Sequence, residues 1–344
     1  MRRAPFLLVL PGVFACASAP RPTPESRVTS HESQSSSPVT RHSSLESRDF
    51  WSQSLGVRKR LLVWLPPSYH ARPQARYPVA YFLHGAFGSE TDWTRHGRLA
   101  ETLDSLVAAG MPEMIVVMSD GDDGWYTTWN WLGDYGACQR NRPADGEPAA
   151  TYCVPWPHYD DYIARDLVSH VDRAFRTLAD RRHRGIAGLS MGGYGAITLA
   201  LSYPDVFGAA ASHSGVLAPA AHQRGGRAAF GPFVPDSLEA AYGARLWPQL
   251  TAVFGNDSAG WSARDPLRRA DRLLRQRPLL MPALYADCGT EDFLIGQNRL
   301  FRDGLRALGI ALAYAEYPGA HAWEYWRRHA SQSVWWLARQ LSVR

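Results

Sequence analysis

From about residue 49 onward the chain alternates short apolar runs with stretches of helical period, and this alternation restricts the fold more than any other feature. Leu61-Leu62-Val63-Trp64-Leu65 and Val79-Ala80-Tyr81-Phe82-Leu83 are bounded by charges, Pro or Gly, as are runs at 114–118, 185–189, 207–211 and 283–286. Runs of that length and content predict strands buried on both faces. Between them, Ile163, Leu167, Val171, Phe175 and Leu178 recur at spacings of three or four, which predicts a helix over 162–178. Further helices are expected over 191–203 and 323–341. Elements in this order build an α/β fold, a mostly parallel sheet with helices on both faces. Ligands in such sheets bind at the carboxyl ends of the strands, so chemistry is sought just after each one.

Gly188-Leu189-Ser190-Met191-Gly192 stands between a predicted strand and a predicted helix. That is the context of a nucleophile elbow, in which the serine occupies a strained tight turn and the flanking glycines omit side chains that would clash. A serine hydroxyl attacks poorly until a base takes its proton, and the base must be oriented by an acid. With such an elbow the chain order is serine, acid, histidine, which reduces twelve histidines to His321 and His329. His321 lies in Tyr317-Pro318-Gly319-Ala320-His321, between a strand-like stretch at 312–316 and the last helix. His329 falls inside that helix beside Arg327 and Arg328, where a solvated surface role is expected. His321 is therefore the expected base. For the acid, the loop after 283–286 offers Asp287, Glu291 and Asp292. Asp287 abuts the strand and is expected only to cap the turn. Glu291 and Asp292 are adjacent and point in different directions, so at most one serves, and the residues alone leave the choice open.

An oxyanion hole needs two backbone N–H groups aimed at the developing charge. One is expected from Met191, directly after the nucleophile. The other is expected from Ala86 in His84-Gly85-Ala86-Phe87-Gly88, the loop after the strand at 79–83. His84 precedes the serine in the chain, which points to an architectural role rather than a catalytic one.

At these residues the chain resembles the esterase D-like family of α/β-hydrolases, which includes S-formylglutathione hydrolases, feruloyl and acetylxylan esterases, enterochelin esterases and mycolyltransferases. The resemblance runs from about Leu61 to Trp336. It rests on Tyr77-Pro78 leading into Leu83-His84-Gly85, on Trp93, and on Gly188-Leu189-Ser190-Met191-Gly192-Gly193. It continues with Cys288-Gly289-Thr290-Glu291-Asp292-Phe293-Leu294 and with Gly319-Ala320-His321-Ala322-Trp323. It implies an α/β-hydrolase fold and a serine carboxylic-ester hydrolase without a cofactor, acting through an acyl-enzyme. It assigns the acid to Asp292, the aspartate of the family's Gly-x-x-Asp segment, with Ser190 and His321 at matching positions. An insertion around Cys138–Cys153 has no counterpart in the pattern. Two other functions fit the same residues: a cell-envelope acyltransferase of mycolyltransferase type, and a catalytically silent envelope-binding protein.

Composition removes other classes. The net charge of +5, from 37 basic and 32 acidic residues dispersed along 344, does not make a nucleic-acid surface. Lys59 is the only lysine and follows no glycine, so a Walker phosphate loop is excluded. Schiff-base and Ser-x-x-Lys chemistries need a lysine beside a pocket or a serine; Arg58-Lys59-Arg60 reads instead as a solvated strand edge. Ser119-Asp120-Gly121-Asp122-Asp123-Gly124 fails as a calcium loop because Trp131 stands where the twelfth-position glutamate is required, and it reads as a polar turn. With no His-Glu-x-x-His or paired Cys-x-x-Cys, no catalytic metal is expected.

Residues 1–19 read as an export signal, with Arg2 and Arg3 before a short apolar stretch broken by Pro11-Gly12. Ala17-Ser18-Ala19 fits ordinary cleavage, while Val13-Phe14-Ala15-Cys16 resembles a lipobox that would make Cys16 a lipid anchor. Residues 20–48, rich in Ser, Pro, Thr and Arg, are expected to form a disordered linker, and 49–344 the catalytic domain. Export would place the protein in the periplasm, outside the cell or at the envelope, with membrane contact only through that anchor. In that compartment Cys138 and Cys153 are plausible disulfide partners, whereas Cys288 ends a strand and is expected to be a buried hydrophobe. Trp125, Tyr126, Trp129, Trp131, Tyr135 and Trp156 follow the strand at 114–118. They are expected to wall the site and to stack on sugar rings or aromatic acyl groups of a small-molecule or carbohydrate ester. Trp323 and Trp326 beside His321 invite the same reading.

Overall fold

A computed structural model of the chain describes residues 42–129, 154–224 and 227–342. Eight strands form one sheet in the order β1 (Ser44–Ser52), β2 (Val57–Leu65), β4 (Ile115–Ser119), β3 (Val79–Leu83), β5 (Arg184–Leu189), β6 (Ala209–His213), β9 (Ala283–Gly289), β10 (Ala313–Tyr317). β1 and β2 are antiparallel to each other, and β2 to β4; every other pairing is parallel. A small hairpin of β7 (His222–Arg224) and β8 (Arg227–Ala229) stands apart from it. The apolar runs read from the sequence supply six of these strands; β2 begins four residues before its run and β9 ends three after its own, while the other four shift by two residues or fewer.

Alternation within a strand divides the core between two faces. Val79, Tyr81 and Leu83 of β3 pack into one cluster while Ala80 and Phe82 pack into the other. The second face is covered by α1 (Leu99–Ala108) and α7 (Trp323–Ser342), through Leu99, Leu103, Val334 and Leu337. The first is covered by α2 (Val168–Ala174), α3 (Met191–Ser202), α5 (Pro266–Gln276) and α6 (Ile295–Ala307). Between them in the chain lies α4 (Pro235–Phe254), kinked at Gly243 where φ is 75°. The helix expected over 162–178 is composite: a helical turn at Tyr159–Asp161, a π-helical stretch at Tyr162–Leu167, then α2. It stops before Phe175, whose backbone turns extended so that Thr177 can bridge to Tyr77.

Three expectations about this framework are corrected. The folded domain starts before residue 49: β1 begins at Ser44 and pairs along its whole length with β2. As an edge strand it buries only Phe50 and Ser52, so it needs no apolar run to form. Lys59 is not solvated. It alternates with Arg58 and Arg60 along β2, points inward with Val57 and Leu61, and is fully buried. His329 is buried rather than exposed on α7; its ring stacks on Tyr317 at 4.3 Å and burial pulls its pKa down. Cys288 is a buried free thiol in β9 as expected. Cys16, Trp131, Tyr135, Cys138 and Cys153 lie outside the described residues.

Candidate active site

The turn after β5 forces Ser190 to φ 52° and ψ −117°, a conformation that costs a non-glycine residue free energy and persists only where its surroundings hold it. Here the Ser190 N–H donates to His213 O at 2.9 Å, and Tyr194 N–H donates back to Ser190 O at 3.0 Å as α3 starts. The two glycines flanking the turn are needed because of close approach. A Cβ on Gly188 would run into the carbonyl of Gly192, and one on Gly192 into the carbonyls of Leu83 and His84. The strain lifts the Ser190 side chain off the carboxyl edge of the sheet.

His321 meets it there. His321 Nε2 lies 2.9 Å from Ser190 Oγ, and His321 Nδ1 lies 2.8 Å from Asp292 Oδ2 and 3.1 Å from Oδ1. The Asp292 side chain is wholly buried, whereas that of His321 is 18% exposed. Asp292 is fixed in turn by the N–H of Leu294, which donates to Oδ1 at 2.8 Å. Of the three acids weighed from the sequence, Asp292 alone reaches the imidazole. Glu291 instead accepts from the Gly319 N–H and the Thr290 hydroxyl, so it ties down the loop that carries His321. Those donors hold its carboxyl below the usual range. Asp287 does more than cap a turn: it is buried inside β9 against His213 and Tyr325.

The loop after β3 sits against Ser190, since a Cβ on Gly85 would stand 3.5 Å from Ser190 Cβ. Phe87 N–H donates to Asp123 Oδ1 at 2.6 Å, whereas neither Ala86 N–H nor Met191 N–H has an acceptor among the described residues. Met191 opens α3, where a helix leaves its first amides unpaired by construction. These are the two amides expected from the sequence, and both belong to turns touching Ser190.

His84 anchors that loop from below. Its Nε2 accepts the Gly121 N–H at 2.8 Å, which leaves Nδ1 to donate to Gly85 O at 2.8 Å. Beneath it, Lys59 Nζ lies 2.8 Å from Asp120 Oδ2 and 2.6 Å from Asp122 Oδ1, all three side chains being buried. Burial works against charge on Asp120, but the Lys59 ammonium outweighs it and holds the carboxyl far below its ordinary range. Tyr159 O–H donates to Asp122, Tyr162 O–H to Asp120 O, and Tyr126 O–H to His84 O. The polar turn at 119–124 is thus a buried ionic platform.

The expected aromatic wall is corrected in the same region. Trp125 and Tyr126 are each 1% exposed, and their rings face the core, where Trp125 packs on Tyr194 and Phe254. Rings of that area are worth more inside than at a solvent edge. Trp129 is half-buried, stacked on Tyr159 with its Nε1–H donating to Gly124 O, and Trp156 lies exposed against Gly56. Trp323 packs edge-on to Trp93 and Trp326. Of the rings expected at the site, Trp326 does lie against His321, and two rings not expected there adjoin it. Phe293, 48% exposed, lies 4.7 Å from the His321 ring, with Trp326 edge-on to it at 4.9 Å. Phe87, 44% exposed, adjoins Ala86 and carries the Arg245 guanidinium 3.6 Å over its face. Their place in the chain was the available signal: Phe87 follows Ala86 and Phe293 follows Asp292.

Among the described residues no group of three or more His, Cys, Asp or Glu side chains is arranged to hold a metal ion. Chemically, a hydroxyl on an imidazole that is itself oriented by a buried carboxylate can be deprotonated for attack on a carbonyl.

Comparison with known proteins gives concordant results. The sequence profile of the family described as Putative esterase matches residues 52–337. An esterase of Mycobacterium tuberculosis is 30% identical over 292 residues, covering 79% of this chain and 54% of that protein. The chain therefore spans about half the length of that relative. An acetyl esterase of Caldicellulosiruptor saccharolyticus is 24% identical over 307 residues, covering 85% of this chain and 97% of the relative. Among solved structures, a ferulic acid esterase superposes with TM-score 0.65 at 23% identity, covering 87% of this chain and 99% of the other. Mycobacterium tuberculosis MPT51 superposes with TM-score 0.61 at 20% identity, covering 87% and 99%. The fold is that of the α/β-hydrolases.

Proposed function

The chain belongs to the Putative esterase family, and from that premise we propose that it is an exported serine carboxylic-ester hydrolase with Ser190, His321 and Asp292 as its triad. The observation that carries this reading is the unbroken chain from Asp292 through His321 to Ser190, with contacts of 2.8 and 2.9 Å on a strained elbow.

In the proposed reaction Ser190 Oγ attacks the ester carbonyl while His321 Nε2 takes its proton. Asp292 keeps the ring in the productive tautomer and stabilises the imidazolium. The N–H groups of Ala86 and Met191 receive the negative oxygen of the tetrahedral intermediate. Collapse expels the alcohol with the proton from His321 and leaves an acyl-serine. Water, deprotonated by the same imidazole, then releases the acid and restores Ser190.

Phe87 and Phe293 are proposed to contact the acyl or alcohol part of a small-molecule or carbohydrate ester. Relatives described as an acetyl esterase and an endo-xylanase/feruloyl esterase fit that substrate class. Phe293→Ala should raise KM by about fivefold, as the loss of roughly 1 kcal/mol of apolar contact implies, with a smaller change in kcat. Initial rates on p-nitrophenyl esters from acetyl to decanoyl and on a feruloyl ester, beside fluorophosphonate labelling of Ser190, test the hydrolase. Turnover with labelling supports it. Turnover only when a sugar acceptor is added makes the protein an acyltransferase, and absence of labelling makes it a silent binding protein.

Residues 1–19 are proposed to direct export, with a tether leading to a catalytic domain that opens at β1. Among the described residues no helix is long and apolar enough to cross a membrane. Mass spectrometry of the mature amino terminus distinguishes a lipidated Cys16 from cleavage after Ala19.

A further inference from the structure

A second acid, imidazole and hydroxyl stand in line inside the molecule. Asp287 Oδ2 lies 2.8 Å from His213 Nδ1, and His213 Nε2 lies 2.7 Å from Ser333 Oγ. Tyr325 O–H donates to the other carboxylate oxygen, Oδ1, at 3.0 Å. His213, Asp287 and Ser333 are each 0% exposed, so this line repeats the order of the surface triad where substrate has no access.

Its connections are what make it informative. The three segments that deliver a triad residue all meet it, the elbow and β9 through the main chain of its members and α7 through side chains. The Ser190 N–H, at the strained elbow itself, donates to the carbonyl of His213 at 2.9 Å. β9 carries Asp287 and runs directly into the loop bearing Asp292, while Ser214 N–H donates to Asp287 O at 2.7 Å, locking the ends of β6 and β9 together. α7, which opens two residues after His321, supplies both Ser333 and Tyr325. One imidazole therefore bridges β6, β9 and α7.

An apolar trio of the same volume would stabilise the core at least as well, because buried ionic groups often break even or worse against hydrophobic packing. What close polar contacts add is direction: the 2.8 Å approach of Asp287 to His213 and the hydrogen bonds to Ser333 and Tyr325 hold only at one relative placement of the elements that carry them. We propose that His213 is a positioning residue for the reaction, holding the elbow of Ser190, the Asp292 loop and the His321 helix in mutual register. This rests on the hydrolase reading above. Misplacement by about 1 Å at a reacting group can cost on the order of 10²-fold in rate, so a fixed register has large kinetic value.

The test is kcat per active site, with sites counted by fluorophosphonate titration so that unfolded protein does not enter. His213→Gln should lower kcat per titrated site by about 10²-fold with KM little changed. The double variant His213→Phe with Asp287→Leu, which replaces the polar line by apolar packing, should recover thermal stability without recovering kcat. Ser333→Ala removes one hydroxyl and keeps the ring; it covers the case in which His213→Gln fails to fold, and should lower kcat several-fold. Unchanged kcat per site in Ser333→Ala, or in His213→Gln with only its melting temperature reduced, overturns the proposal and leaves the line a purely structural feature. An inactive wild-type chain would defeat the hydrolase reading itself, a result visible without any variant.

Discussion

Ser190→Ala is expected to reduce kcat by about 10⁶-fold on whichever ester the wild-type chain turns over, and Asp292→Asn by about 10⁴-fold. The two differ because they remove different things. Alanine at 190 deletes the atom proposed to bond to the acyl group, leaving only the amides of Ala86 and Met191, the proposed oxyanion donors, to favour the transition state. Asparagine at 292 keeps the shape but presents an amide where His321 Nδ1 has carboxylate oxygens at 2.8 and 3.1 Å, so the ring loses both its tautomer and its counter-charge. Glu291→Gln is the companion control. Glu291 touches Gly319 and Thr290 rather than the imidazole, and its replacement should leave kcat within a few-fold. Steady-state rates on one ester for all three variants decide the matter. Equal losses in Asp292→Asn and Glu291→Gln would remove Asp292 from its special role.

Lys59→Met should lower the free energy of unfolding by about 3–5 kcal/mol, because it leaves the buried Asp120 and Asp122 facing each other without their cation. Chemical denaturation at pH 7 measures it. The variant should also respond differently to acid. The folded-state pKa of Asp120 is depressed, so its contribution to stability is present above its unfolded value, near 4, and fades as pH falls through the depressed range. Without Lys59 that depression largely disappears, and the gap between the two proteins should narrow as pH drops below about 4. A gap that stays constant from neutral to acid pH would mean the ion cluster is not its source.

The strand runs and the elbow were legible because they depend on local chemistry. Burial on both faces demands an apolar run whatever surrounds it, and a serine between strand and helix with glycines two positions away has few other uses. The histidine that meets Ser190 was legible by elimination along the chain. The carboxylate that meets His321 was not, since Asp287, Glu291 and Asp292 are chemically alike and their separation depends on where β9 ends; only the resemblance to a family selected Asp292. Lys59 was misread although the sequence contained the signal. In β2 the inward residues are Val57, Lys59, Leu61 and Val63, so strand parity places the lysine inside. Three consecutive basic residues obscured that parity. Its partners, Asp120 and Asp122, are some sixty positions away and meet it only because β2 pairs with β4. The aromatic residues after β4 failed for a related reason. Ring content tells that a large surface must be covered, not whether protein or ligand covers it, and Trp125 and Tyr126 are covered by protein. His213 and Ser333, 120 positions apart, had no local signal at all.

The burial of the single lysine also determines how this molecule can be handled. Amine-directed reagents, including succinimidyl dyes, aldehyde cross-linkers and surfaces activated for amide coupling, will find no side-chain amine on the folded protein. At most the α-amino group remains, so a native preparation should take up no more than one dye per chain, and none if that amine is acylated. Modification of Lys59 then becomes a reporter of global opening: label appears there only in molecules whose interior has been exposed.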